Sequence, residues 1–317
     1  FFDNKGTIIR YDANGKVIWK KNIYSKPEKK LNPKLFFALD GENLLVADNL
    51  AKYYSININY GELNWSMNNM YPFNSEIKIT ENMLFAVDYK NTLRSFNITD
   101  GSELWNFQTE NSFAISDTIN SLIVIDNLVI FSNSIGDITA VDIENGLITW
   151  QLPTQSTNII NESYKFRNSK LVSDKKSIIF SNNKDEFYSI DIKTGVANWI
   201  NEVNSSVTPI LIGNLIFTVS NEGYLFVIEK NNGNIIRITD LYKNYKEKKR
   251  ADIKPIGFVI GNRNLYLTNS DGQMLVIDLV TGKSIYNIKV AKSFVSEPFI
   301  SNENLFVIRK GSIIQYN

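Results

Sequence analysis

Short apolar runs alternate with clusters of Asn, Asp and Gly along the chain. In one segment, the runs Ser177–Ser181 and Glu186–Asp191 are separated by the turn-forming residues Asn182–Asp185. Lys170–Ser173 precedes them, and Val196–Ile200 follows after a further turn. Runs of this length, rich in β-branched and aromatic residues and bounded by such clusters, predict strands joined by tight hairpins. The pattern therefore predicts four antiparallel strands in this segment.

A glycine followed four residues later by tryptophan recurs with these strands. All five tryptophans of the chain occupy this position, and two further copies keep only the glycine. The copies are Gly15 with Trp19, Gly61 with Trp65, Gly101 with Trp105, Gly146 with Trp150, Gly195 with Trp199, and then Gly233 and Gly282. The glycines are 38 to 49 residues apart. A period of 40–50 residues indicates a repeat architecture, and four strands per period are typical of a propeller blade.

The repeat predicts an all-β fold, a closed β-propeller of four-stranded antiparallel blades with almost no helix, in a single domain covering residues 1–317. The chain offers eight third strands and seven fourth strands, and Asn4–Gly6 resembles the turn that precedes a third strand. It therefore starts inside a blade. We favour eight blades with the first incomplete at the N-terminus, and seven blades as the alternative.

Polar residues also recur, four positions before most of the glycines. They are Asn57, Asn97, Asp142, Asp191, Glu229 and Asp278, with Asp12 one residue nearer its glycine. Such a ring of acids and amides could ligate a metal, but one copy per blade favours capping of the turn into strand four. The glycines are expected to supply positive φ in that turn. The tryptophans could stack on a cofactor or on bases, but their constant register favours buried packing between blades.

Composition excludes several kinds of site. The chain has no cysteine and no histidine, which removes disulfides, Cys nucleophiles, His-based triads and thiolate or imidazole metal sites. A net charge of +1 gives no argument for a nucleic-acid or membrane-surface partner. Two basic clusters, Lys243–Arg250 and the smaller Lys26–Lys30, are interpreted as solvated loops. The chain begins at Phe1 without a leader pattern, so a processed or trimmed form is expected.

Two copies match a known repeat closely. Asp191–Trp199 and Asp142–Trp150 run from a strand ending in Asp through Gly to Trp, and they resemble the pyrroloquinoline-quinone (PQQ) type propeller repeat. Residues Phe294–Pro298 and Lys310–Tyr316 are similar to the end of the BamB family. That resemblance implies a non-catalytic lipoprotein scaffold on the periplasmic side of the outer membrane. Its partner would be the periplasmic domains of a BamA-like outer-membrane protein.

The resemblance leaves other functions open. PQQ-dependent dehydrogenases share the repeat, but they need a carboxylate base and Ca²⁺ ligands, and they commonly have a cysteine pair and long insertions. This chain has no cysteine, and its longest connection between blades is Leu152–Asn168. We therefore expect no enzyme activity and no cofactor, with a sensor or carbohydrate-binding propeller as a further alternative. We also expect a monomer with no nucleic-acid partner, which meets the outer membrane only through a lipid anchor absent from this sequence.

The resemblance also implies a docking site on two loops between blades, Asn106–Asn120 and Leu152–Asn168. These loops offer the aromatic, apolar and Arg side chains that often carry interface energy, together with one acid. The candidate partner-binding residues are Phe113, Ile115, Glu162, Tyr164, Phe166 and Arg167. In the alternative interpretation, the aromatic side chains only hold their own loops against the blades.

Overall fold

The computed structural model describes residues 1–3, 5–110, 119–154, 168–182, 184–292, 295–309 and 311–316. The chain divides into two compact units, Phe1–Lys165 and Phe166–Asn317. Short strands dominate both units. The described residues also contain two short helices, each of one to two turns. This agrees with the predicted all-β class.

The first unit consists of strands and one helix, α1. Its elements are β1 (Ile8–Tyr11), β2 (Val17–Lys21), α1 (Lys26–Lys29), β3 (Leu35–Asp40), β4 (Asn43–Asp48), β5 (Lys52–Asn57), β6 (Leu63–Asn68), β7 (Lys78–Thr80), β8 (Met83–Val87), β9 (Thr92–Asn97), β10 (Glu103–Gln108), β11 (Leu122–Ile125), β12 (Leu128–Ser132), β13 (Ile138–Asp142) and β14 (Ile148–Leu152).

The second unit likewise consists of strands and one helix, α2. Its elements are β15 (Val172–Ser173), β16 (Ser177–Ser181), β17 (Phe187–Asp191), β18 (Ala197–Asn201), β19 (Ile210–Ile212), β20 (Leu215–Val219), β21 (Tyr224–Glu229), β22 (Ile235–Asp240), α2 (Glu247–Asp252), β23 (Pro255–Gly261), β24 (Asn264–Asn269), β25 (Gln273–Asp278), β26 (Ser284–Lys289), β27 (Phe299–Ser301), β28 (Asn304–Arg309) and β29 (Ser312–Tyr316).

Consecutive strands pair antiparallel, so each sheet is a simple meander. In the described residues of the first unit, β3–β6, β7–β10 and β11–β14 form four-stranded sheets, and β1 pairs with β2 and, through one isolated bridge, with Phe2. In those of the second unit, β15–β18, β19–β22 and β23–β26 are four-stranded and β27–β29 is three-stranded. Each four-stranded sheet is one blade, whose strands we call first to fourth. The predicted four-stranded antiparallel blade is confirmed.

The preferred count of eight blades is too high by one. The described residues form six four-stranded blades and one three-stranded blade, which gives the alternative count of seven. The eighth sheet holds only the hairpin of β1 and β2, because these are the strands that the chain contributes ahead of β3. The expectation that the first blade is incomplete is confirmed.

The second and third strands of each blade form its core. Leu45, Val46 and Ala47 of β4 are all fully buried, as are Phe85 and Val87 of β8. Both faces of these strands are covered, so their sequences are continuous apolar runs and do not alternate with polar residues. In the first unit, side chains of β3–β6 and β7–β10 join in one apolar cluster. Burial between adjacent blades therefore holds the unit together.

A β-bulge fixes the direction of the tryptophan. In every pairing between the third and fourth strands, and between β1 and β2, one extra residue stands directly before the tryptophan position. Asn64 before Trp65 is an example, since Trp65 pairs with Ser55 and Leu63 with Ile56. A bulge re-aims the side chain that follows it. The repeated bulge explains why the tryptophan keeps one position in the motif.

Each tryptophan whose contacts lie within one unit packs against the glycine of the next repeat. A Cβ on Gly146 would come 2.5 Å from Cε3 of Trp105, and one on Gly101 would come 2.7 Å from Cε3 of Trp65. The indole N–H also donates to the next blade, with Trp105 Nε1 lying 3.0 Å from the carbonyl oxygen of Ile143. The same bond recurs at Trp19, Trp65 and Trp199 at 2.7–2.9 Å. Tryptophan and glycine are thus partners between blades.

The tryptophans are buried to different extents. Trp150 is 8% exposed, whereas Trp19, Trp65, Trp105 and Trp199 are partly buried. The fourth strand is the outer edge of its blade, so one indole face meets the next blade and the rest stays accessible. These contacts support the interpretation of the tryptophans as packing residues.

Candidate docking surface

The acids of the motif cap turns, as predicted. The Oδ1 of Asp191 accepts from the backbone N–H groups of Lys193 and Thr194 at 3.0 and 2.9 Å. Equivalent bonds form at Asp12, Asn57, Asn97, Asp142 and Asp278. Glu229 differs, because its longer side chain accepts from the Nδ2 of Asn232 at 2.7 Å. All seven glycines of the motif have φ of 69–79°. These acids already have protein partners that fit a turn.

A second polar series lies at the opposite end of the blades, where the second strand turns into the third and where linkers join one blade to the next. We call this the linker end. The series keeps the period of the glycines and consists of Asp3, Asp48, Asp88, Asn133, Asn182, Ser220 and Asn269. Most members accept two backbone N–H bonds across the turn, as Asp88 does from Lys90 and Thr92. The turn-capping role of this series was not predicted, although its regular spacing is visible in the sequence.

Two linkers are held at this end by a buried tyrosine. Tyr24 donates its hydroxyl to the Oδ2 of Asp48, and Tyr242 donates to the Oδ1 of Asn269 at 2.6 Å. Each ring also covers a turn glycine of the preceding sheet, Gly6 or Gly223, whose position leaves no room for a Cβ. Burial raises the pKa of Tyr24 and of Asp48. The linkers are therefore anchored by their own side chains.

A buried ion pair stabilises the same end of the blade β7–β10. Arg94 Nε lies 3.0 Å from Oδ2 of Asp88, and its Nη1 lies 2.7 Å from Oε2 of Glu103. Burial alone would lower the pKa of Arg94, but its hydrogen bonds to the two carboxylates outweigh that effect and raise it. Asp88 is fully buried, so this cation compensates a carboxylate that would otherwise be costly. The cluster has a structural role.

The six candidate partner-binding residues lie outside the described residues. They are Phe113, Ile115, Glu162, Tyr164, Phe166 and Arg167. Whether they lie close together therefore remains a prediction. The described ends of their two loops belong to the linker end.

Both ends of the first loop are fixed to turns and linkers of its unit. Thr109 donates its backbone N–H to the carbonyl of Asn91 at 3.2 Å, and Asn91 Nδ2 donates to the carbonyl of Glu110 at 2.9 Å. At the other end, the N–H of Asn120 donates to the carbonyl of Asn74 at 2.8 Å. Ile119, next to this anchor, is 53% exposed. The loop thus starts and finishes on firm hydrogen bonds beside an exposed apolar side chain.

The second loop is fixed separately in each unit. In the first unit, Thr154 donates its N–H to Oδ1 of Asp137 at 3.2 Å and its hydroxyl to the carbonyl of Gly136 at 2.9 Å. Burial raises the pKa of Asp137, and the bond from Thr154 partly offsets this. In the second unit, the N–H of Ser169 donates to the carbonyl of Ser181 at 2.8 Å. Rigid stems of this kind suit a loop that presents residues to a partner.

The described part of the chain holds no group of three or more acids placed to bind a metal ion. Clefts do occur in the second unit. One of about 580 Å³ is lined by Gly261, Asn262, Tyr266, Ile300, Glu303, Leu305 and Tyr316. Its lining includes one carboxylate, Glu303, and two tyrosines, Tyr266 and Tyr316.

A match to a family model shows which family the chain belongs to. The model described as outer membrane protein assembly factor BamB matches residues 4–239, about three quarters of the sequence. The chain belongs to the BamB family. Among solved structures, BamB from Moraxella catarrhalis superposes with a TM-score of 0.77 at 14% identity, covering 98% of this chain and 91% of that one. The predicted resemblance to a PQQ-type propeller of the BamB kind is therefore confirmed.

Other propellers share the fold without sharing the family. The computationally designed Ika8 protein gives a TM-score of 0.75 at 13% identity, over 99% of this chain and 91% of that one. Quinohemoprotein alcohol dehydrogenase from Comamonas testosteroni gives 0.61 at 11% identity, over 86% and 63%. No curated protein sequence matches the chain at a significant level. At these identities, the structural likenesses show the β-propeller fold alone.

No helix in the described part of the chain is long and apolar enough to span a membrane.

Proposed function

We propose that this BamB-family propeller is a non-catalytic scaffold that docks to the periplasmic domains of a BamA-like outer-membrane protein and supports outer-membrane protein assembly. Membership of the BamB family carries this proposal, because the matching model describes an assembly factor. The proposed location is the periplasmic side of the outer membrane. Attachment through a lipid anchor outside this sequence belongs to the same proposal.

The distribution of polar groups supports a scaffold more than an enzyme. The motif acids cap turns, and Asp88 and Asp48 are bound by cations, hydroxyls or backbone N–H groups. A quinone-dependent dehydrogenase needs a carboxylate base with free capacity and oxygen ligands for Ca²⁺. A dehydrogenase propeller is among the structural likenesses, but its 11% identity carries the fold only.

We propose that the two anchored loops form the docking site. Phe113, Ile115, Glu162, Tyr164, Phe166 and Arg167 are its candidate contacts. The chain around them is held by hydrogen bonds at both described ends, as Thr109 and Thr154 illustrate. Aromatic and Arg residues on a rigid support bind a partner at low entropic cost.

Capture of the soluble periplasmic domains of a BamA-like protein by the full chain tests this proposal. The double variant Phe166→Ala and Arg167→Glu should weaken capture at least tenfold, because it removes an apolar anchor and reverses a charge. A matched control combines Tyr60→Ala with Lys16→Glu at exposed positions of the opposite blade end. The control should capture normally. Equal capture by both variants, or a large drop in thermal stability of the first, would refute the assignment of this patch.

A further inference from the structure

The two linkers that carry helices share one construction. Helix α1 follows Tyr24 in residues 22–34, and helix α2 follows Tyr242 in residues 241–254. In each, the buried tyrosine is hydrogen-bonded to the Asp or Asn that ends a neighbouring second strand, at the linker end of its own unit. The chain beyond the tyrosine is therefore displayed at the surface from a fixed point.

These linkers concentrate positive charge. Residues 22–34 contain four lysines and one glutamate, and residues 241–254 contain six cations and two carboxylates. Together, these 27 residues carry seven net positive charges in a chain whose total is +1, so the other residues carry six net negative charges. The net charge of +1 gave no argument for a charged partner. The positive charge is nevertheless concentrated in these two linkers.

Only part of this charge is compensated by nearby acids. In the second linker, Lys249 lies 3.2 Å from Asp271 and Arg250 lies 2.7 Å from Asp240. In the first linker the one acid, Glu28, is paired with Lys52 at 2.6 Å, and hydrogen bonds from Lys52 and Ser25 lower its pKa to about 2. Seven exposed lysines make no ion pair with another described residue. They are Lys26, Lys30, Lys34, Lys243, Lys246, Lys248 and Lys254.

We propose that these two lysine-rich linkers are contact sites for the surface of an anionic phospholipid bilayer. Nine of their ten cations are lysines, which act as point charges toward phosphate groups but are depleted at protein interfaces, where arginine is favoured. Lysines near an anionic bilayer are attracted strongly enough for a small cluster to bind. Leu31, beside α1 and 63% exposed, adds an apolar side chain that can enter the headgroup region.

The contact is electrostatic and diffuse, and it does not depend on the proposed docking to a BamA-like protein. It orients the linker end of each unit toward a membrane. An acidic protein surface is the competing partner, and the experiment separates the two.

The test is co-sedimentation of the full chain with vesicles. One set contains about one third phosphatidylglycerol in phosphatidylcholine, and the other contains phosphatidylcholine alone. The linker variant replaces six of these lysines, Lys26, Lys30, Lys34, Lys243, Lys246 and Lys248, with glutamine and leaves Lys249, Arg250 and Lys52 in their ion pairs. The control variant carries the same replacement at six lysines away from the linker end, Lys16, Lys20, Lys175, Lys176, Lys193 and Lys283. Both variants have the same net charge, and circular dichroism checks their folding.

The native chain and the control should bind anionic vesicles and ignore neutral ones, and binding should fall as salt rises. The linker variant should lose roughly fivefold in partition coefficient per lysine, so more than a hundredfold for each patch of three that touches the bilayer. Equal losses in both variants would mean that only net charge matters and would overturn the proposal. Native chain that fails to bind anionic vesicles, with or without lysine-dependent capture of an acidic protein, would overturn it as well.

Discussion

Replacing Gly146 with alanine tests the pairing of tryptophan and glycine between blades. Gly146 has a φ of 69°, which costs a residue with a Cβ about 1–2 kcal/mol. The new Cβ would also stand 2.5 Å from Cε3 of Trp105, so the indole must move out of its contact. Forced overpacking of this kind costs about 1–3 kcal/mol more. We expect a total loss of about 2–5 kcal/mol.

Gly15 provides the matched control. Its φ of 79° is in the same region, but a Cβ there would meet no atom within 4 Å. Gly15→Ala should therefore lose only the conformational part, about 1–2 kcal/mol. The difference between the two variants isolates the contact with the indole. Urea unfolding of the full chain, followed by far-ultraviolet circular dichroism, measures both free energies of unfolding.

The Trp105→Ala background completes the test. Without the indole, Gly146→Ala should cost no more than Gly15→Ala, because the obstacle to the new Cβ is gone. The free energies of such neighbouring changes are expected to be non-additive. Equal losses for Gly146→Ala and Gly15→Ala in the native background, or an unchanged loss at Gly146 without Trp105, would refute the pairing.

Two further outcomes follow from single contacts. Trp105→Phe keeps a ring over Gly146 but removes the 3.0 Å bond to the carbonyl of Ile143, so urea unfolding should show a loss of about 1 kcal/mol, and a neutral result would contradict a role for that bond. The stability of the Asp48→Asn variant relative to the native chain should increase as pH rises from 3 to 7. Burial raises the pKa of Asp48, so the folded state holds its proton more tightly and stability falls as pH rises through that pKa. Unfolding free energies of both proteins across this range check the sign, and a difference that is constant or moves the other way would contradict it.

The blade could be predicted from sequence because its signals are local. The glycine at positive φ, the capping Asp or Asn and the apolar second strand all lie within one repeat, as at Gly195 and Asp191. The blade count was harder, since it depends on whether β1 and β2 qualify as a blade. The packing of Trp105 was predicted from its constant register, but its contact with Gly146 of the next blade required the structure.

The anchors of the linkers could not be predicted in the same way. Tyr24 and Asp48 are 24 residues apart, and Tyr242 and Asn269 are 27 apart, so neither pair falls within one motif. Tyrosines are common in loops. Tyr24 and Tyr242 are distinguished only by the turn glycine that each ring covers. The periodic series from Asp3 to Asn269 was available in the sequence, but its role required the structure.

The repeat limits the segments of the chain in which partner-binding residues can be expected. The blades use their recurring polar residues for turns and their second and third strands for burial, and four tryptophans of the repeat pack against the next glycine. What differs from blade to blade is the linker, in length, charge and anchoring. This chain keeps the fold at 14% identity with a solved BamB. Agreement in the blades is evidence for the fold, and only experiments on the linkers can test a shared partner.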